Sequence, residues 1–115
     1  MEENKWKKFI ENAKNEYYQI GSISCPAFGG EQVYFTKQGI NHLLYKEGKL
    51  RSFDGQYRRI KLLPFAIETI KISTKIASRD GKFYTLLEKI NGITIKVIII
   101  KENSKLLLFL SVMNK

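Results

Sequence analysis

The first part of the chain places apolar residues at the spacings of a helix. Between Trp6 and Ile20 they recur every three or four positions, and most lysines of this stretch fall on other faces. The pattern predicts a helix from about Glu3 to about Tyr18. Gly21 ends this helix, and a loop with a proline and a Gly-Gly pair follows.

A second helical segment is predicted after a short extended stretch, Val33–Phe35. Thr36 stands where an N-cap belongs, and Gly48 is placed at the end of the helix. His42 and Lys46 are four residues apart, so the pattern predicts that they share one face of this helix.

A third helical stretch is predicted from about Gln56, after a polar and basic connection. Arg58, Arg59 and Lys61 lie in its first turns. Pro64 lacks a backbone N–H and would clash with the preceding turn of a helix, so the sequence predicts a kink or a new helix start there.

The last third of the chain changes to a period of two, which is typical of strands. Asn91 and Gly92 separate two apolar runs, Phe83–Ile90 and Ile93–Lys101. Both turn residues tolerate the positive φ of a type I′ turn, so the two runs are predicted to pair as a hairpin.

A third strand completes the predicted meander. A second tight turn near Asn103 and Ser104 is expected to bring back Leu106–Met113. The chain is therefore predicted to be one α+β domain, with a helix and loop in residues 1–30, a helical region in 33–73 and the antiparallel meander in 82–113.

The register of the hairpin assigns side chains to the two faces of the sheet. A two-residue turn sets Leu86 opposite Val97 and Tyr84 opposite Ile99. These residues belong to a strongly apolar face, which is expected to carry the helices.

The other face of the predicted sheet is partly polar. It holds Thr85 and Lys96, and a second two-residue turn would set Lys96 opposite Ser111 and Ile98 opposite Phe109. A slip of one residue would move Ser111 to the core face. In the first register, two hydroxyls and a cation gather on a face that can receive a ribose-phosphate.

The chain carries a strong positive charge. Its 20 Lys and Arg residues stand against 11 Asp and Glu residues, which gives a net charge of +9. Such a field attracts polyanions and speeds their association, so nucleic acid, an anionic membrane surface and an acidic protein are all compatible partners, and charge alone does not choose among them. The apolar runs are far shorter than the roughly 20 residues that span a bilayer, and no membrane partner is predicted.

His42 is the only histidine, so it is the one side chain that exchanges protons near pH 7 without a large pKa shift. RNA cleavage without a metal needs a base for the 2′-OH, cations for the phosphorane and an acid for the leaving 5′ oxygen. The histidine, the Lys/Arg group and the sheet hydroxyls supply these types. The carboxylates are scattered and no P-loop or zinc spacing is present, so neither a metal nor a cofactor is predicted.

Three segments carry a further signal. They are VYFTKQGINHLLYK (Val33–Lys46), QYRRIKLLPFAIETIK (Gln56–Lys71) and FLSVMNK (Phe109–Lys115). Together they resemble small bacterial and phage toxin ribonucleases of the barnase/EndoU/colicin/RelE-like superfamily, over residues 33–115. The resemblance implies N-terminal helices followed by a curved antiparallel sheet of three to four strands, whose open face bears the active site.

The resemblance also implies an activity and its residues. The helix-borne histidine of the superfamily falls on His42, and its two strand hydroxyls fall on Thr85 and Ser111. Arg58 and Arg59 match the basic pair ahead of the Leu-Pro step. Such proteins cleave RNA, often tRNA, through a 2′,3′-cyclic phosphate without a metal, and many pair with an immunity or antitoxin protein.

The sequence is therefore interpreted as a metal-independent toxin ribonuclease that acts on RNA, with tRNA expected, in the cytoplasm. It is also compatible with the tip of a larger toxin delivered from another cell. An acidic immunity or antitoxin protein is the expected protein partner. The predicted catalytic residues are His42 for proton transfer, Lys46, Arg59 and Lys96 for phosphate stabilisation, and Thr85 and Ser111 for positioning the ribose or phosphate. The predicted RNA-binding residues are Arg51, Arg58, Lys61 and Lys89.

These roles require His42 to lie near the open sheet face and Ser111 to lie outside the core. Two alternatives stay open: a non-catalytic RNA-binding module that uses the same basic face, and a protein-interaction domain for an acidic partner.

Overall fold

The structure, a computed structural model, describes residues 3–103 and 105–115. Helices and short strands are mixed in residues 3–72, and four strands follow from Ser78 onward. The helices are α1 (Glu3–Ile20), α2 (Lys37–Leu44), α3 (Phe53–Lys61) and α4 (Leu63–Ile72), with a short 3-10 helix at Pro26–Phe28. The strands are β1 (Ser22–Ser24), β2 (Gln32–Tyr34), β3 (Tyr45–Lys46), β4 (Lys49–Leu50), β5 (Ser78–Asp80), β6 (Phe83–Ile90), β7 (Ile93–Lys101) and β8 (Leu107–Asn114).

The predicted α+β class is confirmed, but the sheet is larger than predicted. Six strands lie in the order β1-β2-β8-β7-β6-β5, and β3 and β4 form a separate hairpin. β2 runs parallel to β8, so the sheet is mixed, whereas the sequence predicted three to four antiparallel strands. The added strands β1, β2 and β5 have three residues each, which is too short to show a period of two in the sequence.

The hairpin of β6 and β7 has the predicted register. Asn91 and Gly92 adopt positive φ values of 51° and 80°, as a type I′ turn requires. Leu86 pairs with Val97, and Tyr84 pairs with Ile99. These side chains are buried in the main hydrophobic core, and α4 packs against both strands, so the predicted core face is confirmed.

The register of β8 differs from the prediction. Ile98 pairs with Ser111, and Lys96 pairs with Met113. The predicted partner of Ile98, Phe109, pairs with Ile99 and is buried in the core.

Two features of the chain cause this difference. β7 ends at Lys101 and β8 begins at Leu107, so the connection is longer than the predicted two residues; Ser104 of that turn lies outside the described residues. A bulge at the Ile98/Ile99 step then inserts one residue into β8. Without the bulge, the longer connection would place Ser111 on the core face. The bulge returns it to the face of Ile98, because each extra residue moves the following side chains to the opposite face of the sheet.

α2 ends earlier than predicted. It begins after Thr36, as expected, but it stops at Leu44, and the next residues form the β3–β4 hairpin. Glu47 and Gly48 turn this hairpin with positive φ values of 52° and 78°. The prediction that His42 and Lys46 share a helix face is therefore wrong. A glycine with positive φ suits both a helix end and a tight turn, and the sequence pattern did not separate the two.

The helices α3 and α4 follow the sequence signals more closely. The Ser52 side chain caps α3 by accepting a hydrogen bond from the Gly55 N–H at 3.1 Å. Pro64 lies in the first turn of α4, so the predicted new helix start is confirmed. None of the helices within the described residues has the length and apolarity needed to cross a membrane.

α2 lies directly on β8 through Gly39. A Cβ atom at this position would approach the Phe109 carbonyl oxygen to 2.6 Å and the Phe109 ring to 2.8 Å. The buried Tyr17 of α1 closes the same contact by donating a hydrogen bond from its hydroxyl to the Thr36 carbonyl at 2.6 Å. A glycine at position 39 is thus what allows α2 to reach the sheet.

Replacing Gly39 by alanine is expected to lower the free energy of unfolding by roughly 1–3 kcal/mol, because the added methyl group meets backbone and ring atoms that are tightly packed. Urea denaturation measures the change. Gly55→Ala is the matched control, since its Cβ would meet no backbone or ring atom: its neighbours are the Ser52 hydroxyl at 3.2 Å and the Arg51 Cβ at 3.5 Å. Equal stability of Gly39→Ala and the unmodified protein would contradict the close packing.

Candidate functional site

Arg59 docks on the edge of the sheet. β2 pairs with β8 only at Leu107 and Leu108, and no strand within the described residues continues along that edge. There the Arg59 Nη1 donates hydrogen bonds to the Val112 carbonyl at 2.8 Å and to the Ser111 hydroxyl at 3.1 Å. The guanidinium is thereby fixed beside β8, and it satisfies a backbone carbonyl that no strand pairs.

Arg51, Arg58 and Arg59 form a cluster of arginines, and His42 lies next to this cluster. Its backbone carbonyl, in the last turn of α2, accepts a hydrogen bond from the Arg51 Nε at 3.1 Å. The residue as a whole is exposed, although its surroundings remove part of the ring from water. Both Arg51 and Arg59 lie close enough to influence its charge state, so the structure brings His42 together with two arginines that the sequence had placed only in a general basic group.

Gln56 holds the elements of this cluster in place. Its amide is almost completely buried, and its Oε1 accepts a hydrogen bond from the Trp6 indole N–H at 3.1 Å. Its Nε2 donates to the Arg51 carbonyl at 3.1 Å and to the Leu44 carbonyl at 3.4 Å. One side chain of α3 therefore links α1, the end of α2 and the segment that carries Arg51.

The cluster has an excess of positive charge. The one ion pair among residues 3–103 and 105–115 joins Lys7 to Glu3, so no described carboxylate lies within 4.0 Å of Arg51, Arg58 or Arg59. Burial and the neighbouring Arg51 and Arg58 lower the pKa of Arg59. Like charges held together without a carboxylate are costly unless an anion joins them, which makes the cluster a candidate site for phosphate.

The same charges act on the histidine. Burial first, then the charges of Arg51 and Arg59, lower the pKa of His42 below its ordinary value of 6.5. The imidazole is consequently neutral at pH 7, and a neutral exposed imidazole can accept a proton.

Three further predicted residues lie on the elements that carry or flank the arginines. Lys46 is exposed on β3, two residues past the end of α2. Arg58 is exposed on α3 and lies close enough to Arg59 to lower its pKa. Lys61 is two residues after Arg59 in the same helix and therefore faces away from β8; it lies over the Tyr57 ring at 5.3 Å and lines a groove with residues of α1.

The predicted sheet residues share one face. Thr85 pairs with Ile98, and Ile98 pairs with Ser111, so the three lie in one row across β6, β7 and β8. Lys96 occupies the next row on the same face, and Lys89 lies farther along β6. With strands about 4.8 Å apart, Thr85 is about two strand spacings, or 10 Å, from Ser111.

Ser111 is less accessible than its predicted role requires. Its side chain is only 5% exposed, and its hydroxyl accepts the hydrogen bond from Arg59. It therefore contacts the guanidinium and not the solvent, and the role that this geometry allows it is to position Arg59.

A groove of about 450 Å³ opens beside His42. It is lined by Asn41, His42, Tyr45, Glu47 and Gly48. The sequence interpretation did not include Asn41, Tyr45 or Glu47. For Tyr45 and Glu47 the reason is that it continued α2 through residues that form the β3–β4 hairpin. Gly48 was the one local signal of a turn, and it equally suits a helix end.

Among the residues that the structure describes, no three His, Cys, Asp or Glu side chains lie together in a way that would hold a metal ion. No protein-family model matches the chain, and no curated protein or solved structure matches it. The resemblance to toxin ribonucleases therefore rests on the three segments quoted above.

We expect the imidazole of His42 to titrate with a midpoint below 6.5, because burial and two arginines disfavour its protonated form. An NMR titration reports this value without ambiguity, since the chain has one histidine. The midpoint should rise in Arg51→Ala and stay constant in Arg79→Ala, which removes the same charge from β5 at the far edge of the sheet. A midpoint above 6.5, or one that does not respond to Arg51, would refute the coupling.

Proposed function

We propose that this protein is a metal-independent ribonuclease that cleaves RNA by attack of the 2′-OH and leaves a 2′,3′-cyclic phosphate. The observation that carries the proposal is the position of the exposed His42 beside Arg51 and Arg59, whose charges, after burial, lower its pKa. A base next to cations with no carboxylate partner is the combination that this reaction needs.

His42 acts as the base in the proposed reaction. The neutral imidazole takes the proton of the 2′-OH, the 2′ oxygen attacks phosphorus, and the bond from phosphorus to the 5′ oxygen breaks. The leaving 5′ oxygen receives a proton from solvent. Arg51 and Arg59 stabilise the charge that builds up on the phosphorane oxygens, since guanidinium groups bind phosphate through two parallel hydrogen bonds.

Arg59 is placed for this role by its contacts with β8. Its Nη1 is held by Ser111 and Val112, so part of its conformational freedom is already removed before substrate binds. Ser111 is accordingly a positioning residue. Lys46 and Arg58 extend the cationic surface for the flanking phosphates, and Thr85, Lys89 and Lys96 supply a further polar strip on the sheet.

The biological setting of the proposal follows the resemblance. Toxin ribonucleases of this kind favour tRNA as the substrate and an acidic immunity or antitoxin protein as the partner. The net charge of +9 suits both. Delivery as part of a larger toxin, with action in the cytoplasm of the recipient cell, belongs to the same proposal.

The alternative of a non-catalytic RNA-binding module is favoured by one specific observation. Ser111 is covered by Arg59, so the buried hydroxyl does not reach a substrate, while the exposed cations are sufficient for binding. In that case the protein is an RNA-binding module, and its affinity falls steeply with salt as counterions are released, without any cleavage.

Incubation of the purified protein with total bacterial RNA in EDTA, followed by a denaturing gel, separates these functions. Discrete fragments are expected, with a rate that rises with pH until the His42 imidazole is fully neutral. His42→Ala should reduce the rate by about 10²–10⁴-fold, the usual contribution of a general base, with RNA affinity retained. Arg79→Ala, on the far edge of the sheet, should cleave like the unmodified protein.

The other outcomes distinguish the alternatives. RNA that is bound but intact would support the binding module. Failure to bind RNA at physiological salt would reject both the ribonuclease and the RNA-binding module, and would leave the hypothesis of a protein-interaction domain for an acidic partner.

A further inference from the structure

We infer that the groove beside His42 binds one unpaired base of the RNA, and that Glu47 selects bases that carry an exocyclic amino group. The ligands it favours are adenine, cytosine and guanine, and the disfavoured base is uracil. This inference deepens the proposed function and rests on RNA being the ligand.

The groove has the size and position of a nucleotide site. Its volume of about 450 Å³ falls in the range of sites for small organic ligands. His42 is one of its walls, and Arg51 is bonded to the His42 carbonyl. A ribose whose 2′-OH contacts His42 therefore places its phosphate towards the arginines and its base in the groove.

Tyr45 offers a surface for the base. Its ring is 42% exposed, although tyrosine is a large side chain that could be covered in a fold of this size. Bases that are not paired stack on exposed aromatic rings, and each stack contributes to binding whatever the base. Tyr45 thus accounts for binding of a base in the groove but not for discrimination between the four bases.

Glu47 is the acidic residue of the groove. It lies between Lys46 and Lys49 in the hairpin, yet no described cation lies within 4.0 Å of its carboxylate. A carboxylate accepts hydrogen bonds and repels phosphate, so it directs the base, and not the backbone, into this groove.

The backbone at Glu47 gives a second reason to assign it a role. The residue has a φ of 52°, which favours Gly, Asn or Asp over glutamate. The β6–β7 hairpin of the same chain uses Asn91 before Gly92 in the equivalent turn. The turn itself therefore does not explain the glutamate, and residues held in such conformations are frequent at functional sites.

The chemistry of the bases determines what this carboxylate accepts. Adenine, cytosine and guanine each present an amino group on the Watson–Crick edge, which donates to a carboxylate. Uracil presents one N–H flanked by two carbonyl oxygens. The two oxygens repel the carboxylate, so uracil is the disfavoured base. The Watson–Crick edge must be free in either case, so the base is unpaired.

Oligodeoxynucleotides with one ribonucleotide test the inference, because cleavage can occur only at the single 2′-OH. The unmodified protein is expected to cleave the uridine oligonucleotide at least about tenfold more slowly than each of the other three, a difference equal to about 1.4 kcal/mol. Glu47→Gln should bring the four rates close together, since an amide donates as well as accepts. Glu31→Gln, an exposed acid before β2, is the matched control and should retain the selection.

Tyr45 provides an independent test of the stacking surface. Tyr45→Ala is expected to slow cleavage of all four oligonucleotides, whereas Tyr45→Phe should retain the rates because the ring is kept. Equal loss in both variants would point to the hydroxyl and would overturn the stacking role.

Binding of the four nucleoside 3′-monophosphates, followed by the NMR signals of Asn41 and His42, separates this inference from the proposed function. Cleavage without discrimination against uridine overturns the inference and leaves the ribonuclease standing. Selective binding with weaker affinity for uridine 3′-monophosphate, but no cleavage, supports the base site and overturns the catalytic proposal. If neither the binding of the four monophosphates nor the cleavage of the four oligonucleotides discriminates between the bases, the inference is overturned.

Discussion

The arrangement of the candidate site depends on the buried amide of Gln56. It lies in α3, is almost completely excluded from solvent and uses both of its polar atoms, with Trp6, Leu44 and Arg51 as partners. An unsatisfied buried polar group costs roughly 1–3 kcal/mol, so three segments are held to the register that satisfies it. One of those segments ends α2 two residues after His42, and another carries Arg51.

Around this constraint the chain accumulates positive charge at one place. Burial and the charges of Arg51 and Arg58 lower the pKa of Arg59, and no described carboxylate lies within 4.0 Å of the three arginines. A protein that optimised stability alone would pair these groups with acids. Local conflicts of this kind are expected at functional sites, and His42, whose pKa the same charges lower, lies at the same place.

Prediction from the sequence succeeded where a local signal dominates. The turn at Asn91 and Gly92 needs only two residues that tolerate positive φ, and it sets every pair of β6 and β7. It was wrong for α2, where the Glu47-Gly48 turn resembles a helix end. For Ser111 the predicted face was right although its partner was wrong, because a longer connection and a bulge in β8 compensated for each other.

The sequence by itself determined the net charge, the α+β class, the core face of the hairpin and the residue types of the site. These follow from composition and from periodicities that extend over a few neighbouring residues. Only the tertiary structure decided which arginines join His42, that Ser111 lies beneath Arg59, and that a groove with Tyr45 and Glu47 opens beside the imidazole. Arg59 and Ser111 are 52 residues apart in the chain. This contact depends on how α2 packs on β8 and how α3 packs on α2, and no local pattern in either segment encodes that packing.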